Sequence, residues 1–104
     1  MINISLLDNV KKFLCSLDKP AIYKTLRIID LLDNYGYQLE MPHCKKLFGK
    51  FFELRVRGRT EIRFVYFFHK GKIIIFHGFV KKTGKIPKKE IETILSKIKG
   101  IDLS

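Results

Sequence analysis

The sequence predicts an α+β fold: an N-terminal αα-hairpin, a three-stranded antiparallel sheet (four-stranded if an N-terminal strand is added) and a C-terminal helix. Three observations carry this prediction. Apolar residues recur at helical spacing over residues 6–35, alternate with a period of two after Pro42, and return to helical spacing after Pro87. The resulting order ααβββα, with short turns, leaves the helices as the cover for the sheet. One face is expected to be packed, and the other partly open and carrying the charged residues of the strands. A chain of 104 residues is read as one domain, 1–104, large enough for a single core.

The first helix is expected to start at a capping box, Ser5-x-x-Asp8, followed by an apolar stripe of Leu6, Val10, Phe13, Leu14 and Leu17. Asp18 is placed to cap the second helix, with Pro20 in its first turn. Ile22, Leu26, Ile29 and Leu32 form its stripe, and Gly36 is its stop. Phe52, Leu54 and Val56 then alternate with Glu53, Arg55 and Arg57; Ile62, Phe64 and Tyr66 alternate with Arg63, Val65 and Phe67. Gly58 marks the turn between these strands. A third strand, Ile73–Val80, follows a Lys70–Gly71–Lys72 turn; apolar on both faces, it reads as the buried central strand. Pro87 opens the last helix, whose Ile91, Ile94, Leu95 and Ile98 share one side.

Charge narrows the function. Five basic and five acidic groups cancel over residues 1–44, so the net +11 falls entirely on residues 45–104, with sixteen basic groups against five acidic. A basic surface polarised in this way points to a polyanion, nucleic acid first. No apolar run approaches the ~20 residues of a membrane span, and residues 1–15 read as neither a secretory signal nor a transit peptide. Cys15 and Cys44 are read as reduced structural thiols in a cytoplasmic protein. No metal-ligand spacing, phosphate-binding loop or dinucleotide fingerprint is found, and no cofactor is expected.

Turn length sets the candidate site. A three-residue turn at Gly58–Thr60 places Arg55 opposite Arg63 and sends every large apolar side chain of both strands to one face. A two-residue turn would mix the faces. Two guanidiniums side by side suit a phosphate held between them. Glu53 shares their face, as an ion-pair partner or as a general base. Lys81, Lys82 and Lys85 lie where the third strand leads into the last helix, and so would rim a pocket floored by Arg55 and Arg63. His77 is either a hydrogen-bonded strand residue or a catalyst.

Together these segments resemble a known family. Val10–Leu14, Tyr35-Gly36…Leu39…Pro42, Lys45–Leu47, Phe52-Glu-Leu-Arg55, Arg63–Phe67, His77-Gly-Phe-Val-Lys-Lys-Thr83 and Lys85-Ile-Pro87…Glu90-Ile91 resemble the HigB-like, phage-derived Gp49-like branch of the RelE/ParE toxin superfamily. The resemblance implies a toxin of a type II toxin–antitoxin system, an endoribonuclease that cuts mRNA on the ribosome without metal. It implies as partners the mRNA and a helix-turn-helix, HigA-like antitoxin. By position it implies Arg55, Arg63, Lys81 and Lys82 as catalytic, with Glu53 and His77 as candidate bases, and Lys45, Lys46, Arg57 and Lys85 as RNA-binding. Two features depart from the family pattern. Little chain precedes the first helix, so an N-terminal strand would be short or missing. Gly84 and Ile86 also replace side chains common in the loop before Pro87. Two other roles share such a fold: a ParE-like inhibitor of DNA gyrase, and a non-catalytic nucleic-acid-binding module.

Overall fold

A computed structural model of the chain describes residues 3–82 and 84–101. Its strands are β1 (Asn3–Leu6), β2 (Cys44–Phe48), β3 (Phe51–Val56), β4 (Ile62–His69) and β5 (Lys72–Val80), and its helices are α1 (Asp8–Cys15), α2 (Lys19–Tyr35) and α3 (Lys88–Gly100). A single 3₁₀ turn, Gly36–Gln38, follows α2. The architecture is α+β as predicted, but the sheet has five strands in the order β1-β5-β4-β3-β2. β1 runs parallel to β5, and all other pairs are antiparallel.

β2 corrects the expectation of three or four strands, whereas β1 is the short N-terminal strand of the four-stranded alternative. β1 exists but is only four residues long, so Ser5 and Leu6 belong to a strand. Ser5 therefore caps nothing: the N-cap of α1 is Leu7, with no side-chain bond. β2 is an edge strand interrupted by a bulge between Lys46 and Phe48. Such a bulge abolishes the period-two pattern that would announce a strand, and lysines on an edge discourage pairing with other chains.

Other local signals hold in part: Leu26 of the expected α2 stripe and Ile91 and Leu95 of the α3 stripe are exposed, and Ile28 and Leu31 help to pack α2 instead. Asp18 caps α2, its Oδ1 accepting the Ala21 N–H at 2.9 Å. α2 ends at Gly36 with φ +52°, a left-handed conformation that glycine adopts without a side-chain penalty. β4 and β5 join through a two-residue turn, Lys70–Gly71, both at positive φ (49° and 76°), the requirement of a type I′ hairpin. β5 is an interior strand, although the central place belongs to β4, whose first six residues are all buried.

The sheet is covered on both faces. On one, α1 and α2 close over Leu54, Val56, Ile62, Phe64, Tyr66, Ile73 and Ile75, with Val10 and Leu32 inserted from the helices. Gly78 lets α1 approach β5: a Cβ there would stand 2.6 Å from Phe13 and 2.9 Å from Phe64. On the other face, α3 lays Ile94 over Phe51, Val65, Phe67, Phe76 and Phe79. This second core corrects the expectation of an open face. The charged strand residues emerge only beyond it, toward the β3 end of the sheet, and part of that charge is buried. Among the described residues no helix is long and apolar enough to cross a membrane.

Candidate nucleic-acid interface

The predicted register is the one found. Arg55 lies opposite Arg63, Leu54 opposite Phe64 and Phe52 opposite Tyr66. A one-residue slip of β3 would turn Leu54 and Val56 away from α1 and α2 and point Glu53 and Arg55 into that core, so burial enforces the juxtaposition of the two arginines.

Glu53 binds them together. Its Oε1 stands 3.7 Å from Arg55 Nε and 3.4 Å from Arg63 Nε. Arg63 is almost wholly buried, at 2% exposure. Its Nη2 donates to Glu61 Oε1 at 3.1 Å and its Nη1 to the Ile62 carbonyl at 3.0 Å. Both Nε atoms are buried without a well-directed hydrogen bond, so each guanidinium keeps unspent donor capacity beside Glu53. Burial alone would raise the Glu61 pKa. The hydrogen bonds from Arg63 and the Gly58 N–H, with the charges of Arg63 and Arg57, outweigh it and hold the carboxyl below its ordinary value.

A groove of about 410 Å³ opens in front of this cluster. Its basic side is Lys45 and Lys46 of β2, Arg55 of β3, and Lys81 and Lys85 of the loop after β5; Glu53 contributes its carboxylate. Leu47, Ile86 and Ile91 form an apolar wall, so the start of α3 borders the cations. Lys81 is held in place by its backbone N–H, which donates to the Glu61 carbonyl at 2.8 Å.

The structure thus brings six of the predicted residues, Lys45, Lys46, Glu53, Arg55, Lys81 and Lys85, to one groove. Four others lie elsewhere. Arg63 sits behind Glu53 and does not line the groove. Lys82 is exposed just past β5, outside the lining. Arg57 faces a different groove and pairs with Glu61 at 3.8 Å. His77 is buried beneath α3, where its Nε2 donates to Glu90 Oε1 at 2.9 Å and its Nδ1 meets Lys97 Nζ at 2.7 Å. Burial foremost, and the Lys97 charge with it, outweigh Glu90 and keep the His77 pKa below its ordinary value. Its neutral ring ties α3 to β5. Thr83, part of the resembling segment, lies outside the described residues.

Sequence reasoning missed three supporting carboxylate and amine groups. Glu61 was visible in principle, because it lies two residues before Arg63, immediately ahead of β4. Glu90 and Lys97 were not, because their meeting with His77 depends on how α3 docks. Of the cysteines, Cys44 is buried, its thiol donating to the Leu39 carbonyl at 2.9 Å, and Cys15 is exposed. Among the described residues no group of three or more His, Cys, Asp or Glu could hold a metal ion.

Fold and groove together define a class: a small α+β domain with a cationic groove at one end of a sheet, organised around a carboxylate shared by two arginines. The chain belongs to the phage-derived protein Gp49-like family (DUF891), whose model matches residues 12–99. That span includes every residue of the groove and excludes β1. No curated protein matches the chain.

Proposed function

We propose that the chain is a toxin of a type II toxin–antitoxin pair that cleaves mRNA on the ribosome. Membership of the Gp49-like family is consistent with a RelE-superfamily toxin. The observation that carries the reading is the groove itself, five cations around one carboxylate. Cleavage of RNA by its own 2′-hydroxyl builds extra negative charge on a pentacoordinate phosphorus. Fixed cations in a partly desolvated site stabilise that charge more than they stabilise the ground state.

In this reading Arg55 and the groove lysines bind the scissile phosphate. Glu53 accepts the proton of the attacking 2′-hydroxyl. Lys81 donates a proton to the departing 5′-oxygen, and the products are a 2′,3′-cyclic phosphate and a 5′-hydroxyl. Arg63, at 2% exposure, acts as a positioning residue that orients Glu53. His77, held by Glu90 and Lys97, serves the docking of α3. The helix-turn-helix antitoxin and the ribosome remain the partners of this reading, in the cytoplasm.

The test is induced expression without antitoxin, followed by mapping of RNA 5′ ends. Cuts confined to translated frames, and abolished by Arg55→Ala with the fold intact by circular dichroism, are expected. Growth arrest with intact messages would move the assignment to gyrase. Full toxicity and full cleavage in Arg55→Ala would overturn the mechanism.

A further inference from the structure

A second groove, of about 350 Å³, lies on the other side of Arg55, between α2, the Pro42–His43 segment and the end of β3. Lys24 and Arg27 of α2 line it together with Arg55 and Arg57, over an apolar floor that includes Ile28, Leu31 and Pro42. Its lining residues contain four cations and no carboxylate, whereas the first groove contains Glu53. The Arg57–Glu61 pair is long, at 3.8 Å, and the Arg57 side chain is 58% exposed, so the pair is weak and Arg57 can exchange Glu61 for a phosphate. Arg55 belongs to both grooves, and its Nη1 rests on Met41 Sδ at 3.6 Å, forming the ridge between them. The β3–β4 turn makes room for Lys24: a Cβ on Gly58 would stand 2.5 Å from Lys24 Nζ.

Tertiary structure thus recruits cations from the electrically neutral half of the chain to extend the basic surface. We propose that this second groove is a phosphate subsite for nucleotides flanking the scissile bond on the same single RNA strand. That strand crosses Arg55 from one groove to the other. The chemistry fits a single-stranded polyribonucleotide: backbone phosphates go to Lys24, Arg27 and Arg57, and a ribose or base packs on Ile28, Leu31 and Pro42. The inference rests on the reading of the first groove as the cleavage site and adds the path of the substrate beyond it.

The test is the salt dependence of binding to a 2′-O-methyl RNA, which cannot be cleaved, of about twelve nucleotides. Three proteins are compared: the native chain, Lys24→Gln/Arg27→Gln, and Lys11→Gln/Lys12→Gln, which removes the same net charge from exposed positions of α1. Loss of two phosphate contacts lowers the slope of log affinity against log salt by about 1.4, a roughly 25-fold loss at 0.1 M salt. That result is expected for Lys24→Gln/Arg27→Gln, and a near-native slope for the α1 variant. Equal slopes in the two variants would overturn the second subsite and leave the cleavage reading standing. No binding by the native chain would also overturn the subsite, and would leave the ribosome-dependent cleavage reading to the mapping of RNA 5′ ends.

Discussion

Removing the carboxylate between the two arginines is the most direct probe of the groove. In Glu53→Gln, Arg55 and Arg63 keep their cross-strand register but lose the charge they share. Breaking a buried ion pair by deleting one partner costs about 3–5 kcal/mol. Arg63 retains Glu61 at 3.1 Å and the Ile62 carbonyl at 3.0 Å, which places the loss at the lower end. Repulsion between opposed like charges adds under ~1 kcal/mol. The expected destabilisation is therefore about 3–4 kcal/mol, or a fall in Tm of roughly 12–30 °C for a domain of this size. Urea and thermal unfolding followed by circular dichroism measure it. Because the deficit is one negative charge, phosphate or sulfate should stabilise Glu53→Gln more than the native protein. Adding Arg63→Met to Glu53→Gln should recover part of the loss, since a buried charge left with only the partly exposed Glu61 as counterion is then gone. A destabilisation below about 1 kcal/mol, with no preferential rescue by anions, would refute the argument that Glu53 is the electrostatic keystone of the groove.

Two further outcomes follow from the packing. Gly78→Ala should destabilise by about 1–3 kcal/mol, because the new methyl meets the rings of Phe13 and Phe64 where α1 lies on β5; urea denaturation within about 0.5 kcal/mol of the native chain would contradict that close approach. The His77 pKa lies below its ordinary 6.5 in the folded state, so the unfolded chain binds more protons between the two values and stability rises with pH across that window. The stabilisation is complete above pH 6.5 and is lost as pH falls through the folded value, when His77 must charge beside Lys97. His77→Gln should flatten this part of the Tm–pH curve, and an unchanged slope in the variant would assign the titration to another group.

The elements most legible in the sequence were those whose signal is local. Asp18 and Gly36 delimit α2 because capping and left-handed backbone are properties of single residues. The alternation of β3 and β4, with the odd-length turn between them, sufficed to pair Arg55 with Arg63, because that register keeps Leu54, Val56, Ile62, Phe64 and Tyr66 on one face. The expectation that this face takes every large apolar side chain was wrong, since Phe51, Val65 and Phe67 pack on the other under α3. β1 and β2 were illegible for opposite reasons. The four residues of β1 become a strand only by lying beside β5, some seventy positions away. The lysines and bulge of β2 erase the alternation that would reveal it.

The candidate site divides in the same way. Residue types and charge asymmetry, properties of the chain itself, pointed to a basic site floored by Arg55 and Arg63 and rimmed by Lys81, Lys82 and Lys85. Which of these cations meet solvent was decided by docking. α3 covers the second sheet face and takes His77 into its own anchorage. Glu53 and Glu61 close around Arg63 and bury it. α2 carries Lys24 and Arg27, from a half of the chain with no net charge, to the far side of Arg55. The physical reason is that a side chain's chemistry is set by its covalent structure, whereas its exposure and partners depend on contacts between segments distant in sequence, which only the packed molecule brings together.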